Sequence, residues 1–433
     1  MVTKVKKRDG RIVDYDSSKV VQAILKAMAQ VINVSGIEVR TANRIEQKIK
    51  EMDLDVPEVE FIQDTIEKEL MATTYKNVAK AFILYREKRN IERERKSELR
   101  KEILDKIECK NVSNQNANID EYSFGGRKFE SSAVIHKDIA LRDLISPDVA
   151  QAHRESRIYI HDLDSYSVGM QNCLFANLKP LLENGFVTRN GDVRSAGSFS
   201  TACQLVAVIF QAQSQCQFGG IASAHIDRDL APFVKKSFVK HFKTGLKYVE
   251  QKELTKSVEY FLGELKNNNE DVHIDNKELK EFSKAYEYAI DMLEREGKQS
   301  SEAMYHNLNT LESRPGSQLP FTSINFGLDT SPEGRLVTKW LLEASINGIG
   351  KNHLTPIFPI SIFQYKKGVN DKEGTPNYDL KKLAIKSLSK RIYPNIVNCD
   401  WTKNPATTWE EENCTMGKWN LAHVKPFERC LAV

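Results

Sequence analysis

Apolar residues recur along this chain at two spacings, that of a β-strand and that of an amphipathic helix. Val5, Ile12 and Val13 flank Arg8-Asp9-Gly10, which predicts a short β-hairpin turning on the glycine. From Ser17 the spacing lengthens, and Val20, Ile24, Met28 and Val31 share one helical face behind an N-cap at Asp16 or Ser17. Ile45, Ile49 and Met52 mark a second helix. Val59, Ile62, Ile66 and Leu70 mark a third, with Asp55 and Glu58 as its capping box. Val78, Ala81, Phe82 and Tyr85 mark a fourth. Then the apolar face disappears. From Arg86 to Lys110 most residues are charged, with opposite signs at helical neighbour spacing, which predicts a solvated connecting helix. An Asn- and Gly-rich stretch closes this region near 117.

Beyond it the two periods alternate. ESSAVIHKDIALRDL is helical in spacing, and Ser146-Pro147-Asp148 opens another helix. Ile158 to Ile160 reads as a short buried strand that delivers His161 and Asp162 at its end, where α/β folds hold ligands. SFSTACQLVAVIFQAQSQCQF is a long helix, apolar in its centre and rich in amides at its end. Gly219 and Gly220 break it, and helical spacing resumes through AHIDRDLAPFVKKSFVKHF. Residues 240–312 read as a polar helical surface layer. LPFTSINFGLD and LTPIFPISIFQY read as buried strands, and NIVNCDW follows near the end. Strands alternating with helices predict an α/β domain.

Composition narrows the class. A chain of 433 residues calls for two or three domains, and 40% hydrophobic with 28% charged residues is a soluble globular balance. The charged opening VTKVKKRDG is no secretory leader, and no apolar run reaches membrane-spanning length, so a cytoplasmic protein without a membrane partner is expected. A net charge of +4 excludes a whole-protein electrostatic grip on nucleic acid, and acids interleave with bases in the charged helix. Seven scattered cysteines without CxxC spacing fit a reducing compartment and leave no metal ligands to assign.

Candidate chemistry concentrates between Arg157 and Asp229. This stretch holds His161-Asp162, Asn172-Cys173, an RNGD turn, the amides Gln211, Gln213, Gln215 and Gln217, and the Gly-Gly pair. Small residues let backbone approach a ligand and amides read its polar edges. A buried core thiol and a satisfied His-Asp pair would give the same letters. HDLD, Asn172-Cys173 and QFGGIASAHIDRDLAPFV, in this order, resemble the N-terminal part of the anaerobic (class III) ribonucleotide reductases, which are glycyl-radical enzymes. The hairpin with four helices, carrying KRDG and then SKVVQAI, resembles the ATP-cone, a nucleotide-sensing module.

The resemblance implies an ATP-cone at 1–92, a charged connecting helix and linker at 93–117, and at 118–417 the first part of a ten-stranded α/β barrel. In such a barrel two five-stranded halves surround a finger loop that carries the radical cysteine. The implied activity is anaerobic reduction of ribonucleoside triphosphates to deoxyribonucleoside triphosphates by glycyl/thiyl radical chemistry. ATP or dATP would act as allosteric effectors, a radical-SAM activating enzyme as partner, and the full-length protein as a homodimer. Lys7, Arg8 and Lys19 would clamp the effector triphosphate while Gly10 permits the turn, and Gln63 falls where some cones contact base or ribose. Cys173 matches the cysteine on the opposite face of the sugar, which takes part in reduction. His161, Asp162 and Asn172 become substrate-site candidates, and residues 203–229 correspond to the dimer interface and specificity site.

One departure is abrupt. Thr415-Met416-Gly417 matches the start of the family's Met-Gly-Cys-Arg finger-loop motif, and the chain then reads Lys418-Trp419-Asn420 and ends at Val433. The radical cysteine, the zinc-binding cysteine pairs and the glycyl-radical sequence do not follow, so 418–433 reads as a non-family tail. The expectation is a reductase piece truncated before its finger-loop cysteine and inactive by itself. The alternative is a non-catalytic nucleotide-binding regulatory protein. A cone-bearing transcription repressor falls away for want of a zinc ribbon and a DNA-binding element.

Overall fold

The computed structural model describes residues 1–400 apart from 9, 111–118, 121, 170–172, 189–190 and 218. They fall into two compact units that divide after Leu104. The first opens on an antiparallel hairpin, β1 (Lys4–Lys6) and β2 (Ile12–Asp14), with Val5 opposite Val13. Gly10 takes a φ of +82° at its turn, a conformation costly for any residue with a Cβ. Four helices follow: α1 (Ser17–Ala29), α2 (Gly36–Lys50), α3 (Val59–Met71) and α4 (Lys76–Ile107).

The expected apolar faces pack together here, with Ile24, Met28, Ile45, Ile49, Ile66, Leu70 and Val78 buried in one core. Val31 is exposed because α1 stops at Ala29. Asp16 caps α1 by accepting from the Ser18 N–H at 3.1 Å. The capping box expected at Asp55 and Glu58 does not form. Glu58 stands before Val59 with no side-chain cap bond and pairs with Lys6 at 3.0 Å instead. The box lies on α2, between Ser35 and Glu38. The fourth apolar helix and the charged connector are one helix, α4, since no glycine or proline interrupts it.

In the second unit, helices α5 (Phe124–Ile139), α6 (Pro147–Arg154) and α7 (Leu163–Tyr166) precede β3 (Leu174–Phe175). Next come α8 (Leu178–Asn184), a hairpin of β4 (Phe186–Thr188) and β5 (Gly191–Val193), α9 (Phe199–Ser214), β6 (Ile221–Ser223) and α10 (Ile226–Gly245). The chain continues through α11 (Lys256–Lys266), α12 (Ser283–Thr310), β7 (Thr322–Phe326), α13 (Pro332–Asn347), β8 (Ile360–Tyr365), α14 (Tyr378–Arg391) and β9 (Asn395–Asn398). Strands β3, β6, β7, β8 and β9 form one five-stranded sheet in that order. Every neighbouring pair is parallel. The α/β expectation holds, and five parallel strands are the size of one half of the expected barrel. Ile324, Phe326 and Phe363 join Phe199, Phe210, Phe233, Phe238, Leu293 and Trp340 in the core between sheet and helices. The alternate positions Ser323, Asn325, Ile360 and Ile362 fall on the opposite face of the sheet.

Three readings of the sequence need correction. Residues 158–160 form no strand, and Ile158 is exposed, because the chain there runs through turns after α6. The Gly-Gly pair does more than break a helix, since β6 follows it directly and is too short to show a period. Nor is 240–312 a surface layer: α12 buries Ala285, Ala289, Leu293, Met304 and Leu308. Its buried Gly297, Ser300 and Ser301 let neighbouring helices approach and make a core helix look polar in sequence.

Candidate functional site

The parallel sheet brings separated segments together at its amino edge. Cys173 precedes β3, Gly220 precedes β6 and Phe321 precedes β7. The Leu174 N–H donates to Gly220 O at 3.0 Å and the Ile221 N–H to Phe321 O at 2.8 Å, so the three segments lie side by side. The Gly220 N–H donates to Cys173 Sγ at 3.3 Å. Arg314 stacks over the Phe321 ring, 4.1 Å from its centroid, and donates from Nη1 to Gly219 O at 3.2 Å. Burial lowers this guanidinium to about 10, and the charges of Cys173 and Asp162 oppose the shift, so it remains a cation at neutral pH. A cavity of about 210 Å³ opens here, lined by Arg314, Gln217, Gln318, His136, Phe129 and Val168 among others. Gln318 is 2% exposed, and its Oε1 has no hydrogen-bond partner among the described residues.

Of the residues singled out in the sequence, Cys173 stands within this cluster and Asp162 acts on it through Arg314. His161 does not join. Its ring is exposed and sits 2.6 Å from its neighbour Asp162, on a turn where Asp162 takes a φ of +57°. Asn172 lies outside the described residues, as do Met416, Gly417 and the tail. At the carboxyl edge of the sheet, Asp227 after β6 joins the turn that follows β7. That buried carboxylate accepts from the N–H groups of Gly327 at 2.8 Å, Asp329 at 3.2 Å and Arg228 at 3.0 Å. Arg314 and Gln318 were missed because SRPGSQ looks like an ordinary turn.

A second cavity, about 670 Å³, lies where the hairpin meets the start of α1. Lys7, Arg11, Tyr15, Asp16 and Lys19 line it. Lys7 and Lys19 thus line one cavity, Lys19 paired with Asp16 at 3.2 Å, whereas Arg8 points elsewhere. Its guanidinium pairs with Glu60 and donates to Gln63 Oε1 at 3.1 Å, which also engages Gln63. Glu60 in turn pairs with Arg86 at 2.6 Å. Arg11 takes the place of Arg8 beside the two lysines.

Residues 115–417 match the family model described as anaerobic ribonucleoside-triphosphate reductase, and residues 3–91 match the ATP cone domain. The chain belongs to the anaerobic ribonucleoside-triphosphate reductase family. The anaerobic ribonucleoside-triphosphate reductase of Escherichia coli is 35% identical over 405 residues, 92% of this chain and 52% of the relative. That of Haemophilus influenzae is 33% identical over 403 residues, 91% of this chain and 52% of the relative. This reductase-family chain thus spans about half the length of the curated relatives it matches. The anaerobic ribonucleotide reductase from Thermotoga maritima with citrate in the active site overlays with a TM-score of 0.44 and 14% identity, covering 70% of this chain and 51% of that one. Membership rests on the sequence match, not on that loose overlay. Among the described residues no three His, Cys, Asp or Glu side chains converge as a metal site. No described helix is long and apolar enough to cross a membrane.

Proposed function

We propose that this chain supplies the nucleotide-sensing cone and the Cys173 side of the catalytic barrel of an enzyme that reduces ribonucleoside triphosphates to deoxyribonucleoside triphosphates anaerobically. The observation that carries the reading is the placement of Cys173 at the sheet edge, held by a backbone N–H beside the buried cation Arg314. Replacing the ribose 2′ hydroxyl by hydrogen is a two-electron reduction that releases water. Cys173 contributes one hydrogen atom to that step, leaving its sulfur one electron short, the second reducing equivalent comes from an external reductant of the formate or thiol class, and Arg314 keeps the edge positive. Neither the glycyl radical nor the structural zinc of the family has its residues among those described.

In the cone, Lys7 and Lys19 hold the phosphates of ATP or dATP, and Gly10 keeps the hairpin turn that presents them. Arg8 joins them only by leaving Glu60. The working enzyme is a cytoplasmic homodimer charged by a radical-SAM activating enzyme. The test is a chimaera completed with the remaining half of the Escherichia coli relative and activated without oxygen. In it, Cys173→Ser forms the glycyl radical, seen by electron paramagnetic resonance, but yields no deoxyribonucleotide. Retained turnover overturns the assignment and leaves Cys173 as a core thiol.

A further inference from the structure

We infer that Asn325 and Gln364 read the base of the nucleotide whose ribose lies at Cys173, each through its side-chain oxygen. All three residues belong to one face of the sheet. Leu174, Ile221, Ile324, Phe326 and Phe363 point into the core between sheet and helices. The Ser361 hydroxyl also turns that way, 2.8 Å from the Tyr305 hydroxyl of α12. The pleat therefore sends Cys173, Ala222, Asn325 and Gln364 to the opposite face. Between the thiol and the two amides the floor is low, since only Ala222, Ala224 and Ser323 fill it, and all three are half-buried. Leu174 pairs with Ile221 and Ala222 with Ser323, so Cys173 is level with Gly220 and Phe321. Asn325 stands four residues beyond Phe321, about 13 Å along its strand. A ligand held by its ribose at one end of this floor reaches the amides with its other end.

The amides decide which end that is. Asn325 donates from Nδ2 to Ser223 O at 3.0 Å, and Gln364 makes a long contact from Nε2 to Ala224 O at 3.5 Å. A backbone carbonyl can only accept, so both nitrogens are fixed towards β6 and both oxygens are left to accept. Gln364 is buried, and its Oε1 has no hydrogen-bond partner among the described residues. A buried acceptor without a donor is costly, and a ligand N–H removes that cost. Phosphate oxygens only accept, so this pair does not suit a triphosphate. The amino edge of a base does suit it. Asn325 and Gln364 are therefore specificity-determining residues for the base, which rests on the reading of Cys173 as the thiol beside the ribose.

Calorimetry on the full 433-residue chain, with dATP present to fill the cone, compares CTP with the triphosphate of the pyrimidin-2-one ribonucleoside, which lacks only the amino group. The parent binds CTP about tenfold more tightly, the effect of leaving a buried acceptor without its donor. Gln364→Leu binds the two equally, at the affinity the parent shows for the analogue, and Asn325→Leu narrows the preference. Equal affinities in the parent, or no binding of CTP, overturn the inference. So does a Gln364→Leu chain that binds both ligands more weakly yet keeps the preference, because Gln364 is then only a link between strand ends. If Gln364→Leu fails to fold by circular dichroism, the parent's own comparison of the two ligands decides. Equal affinities alongside a Cys173→Ser chimaera without turnover sink the base contact and spare the functional reading. A preference abolished by Gln364→Leu, alongside a chimaera that still turns over, does the reverse.

Discussion

Gly297 of α12 lies against the indole of Trp340 on α13, so closely that a Cβ at 297 would stand 2.2 Å from the ring. Trp340 is fully buried and packs edge-on against Phe199 at 5.1 Å, so the ring has nowhere to retreat. Two effects oppose each other in Gly297→Ala. Better helix propensity recovers about 1 kcal/mol, while overpacking a rigid ring costs about 3 kcal/mol. Overpacking wins. The variant is expected to lose roughly 2 kcal/mol in urea unfolding of the second unit, with a shifted tryptophan emission. An unchanged midpoint refutes the packing argument.

The same indole holds Glu294. Burial pushes this carboxyl up, but the Trp340 Nε1–H at 2.8 Å, Lys339 at 2.9 Å and Lys298 at 3.0 Å overcome it and lower the group to about 2. A carboxyl depressed in the folded state stabilises fully above its unfolded value of 4.5, and that contribution is lost as pH falls towards 2. The parent's unfolding midpoint therefore falls more steeply than that of Glu294→Gln between about pH 5 and 2, by an amount of roughly 2–3 kcal/mol. Parallel curves for the two proteins contradict the assignment.

Asp227 stitches the turn after β7 to the start of α10. Asp227→Ala strands the N–H groups of Gly327, Asp329 and Arg228, two of them at a turn where Gly327 itself takes a φ of +116°. A cost of roughly 2–4 kcal/mol in unfolding free energy is expected, with alkylation of Cys173 in the folded protein unaffected. A loss of Cys173 reactivity without a loss of stability contradicts this separation of the two sheet edges.

The cone was legible because its helices are amphipathic and long: Ile24, Met28, Ile45, Ile49, Ile66 and Leu70 announce their faces at regular spacing. The second unit was legible only in outline. Strands such as β6 and β3 are too short to carry a period, and α12 hides a buried face behind Gly297, Ser300 and Ser301. Cys173 was singled out by resemblance, whereas nothing in the sequence pointed to Arg314. Its contact with the Gly219 carbonyl joins residues far apart in sequence, and no local pattern records a meeting made by the sheet. A His-Asp pair reads alike in sequence whether buried or exposed, and here the His161 ring is exposed.

The cone cavity offers the last prediction. Lys7 and Lys19 line it from the hairpin and from α1, so each makes a charge-assisted contact with a bound triphosphate. Lys7→Ala is expected to weaken ATP binding to the full chain by about 1.5–3 kcal/mol in calorimetry, Arg11→Ala by a similar amount, and Lys19→Ala by less, because Lys19 begins in an ion pair with Asp16 at 3.2 Å. Arg8→Ala should cost less, because Arg8 begins in an ion pair with Glu60 and must break it to reach phosphate. Glu60→Gln weakens that hold, so ATP should bind more tightly to this variant than to the parent, and Arg8→Ala should cancel the gain. If Glu60→Gln leaves affinity unchanged while Lys7→Ala lowers it, Arg8 is a structural link between hairpin and α3. If Lys7→Ala and Lys19→Ala both bind ATP as the parent does, the cavity is not the effector site.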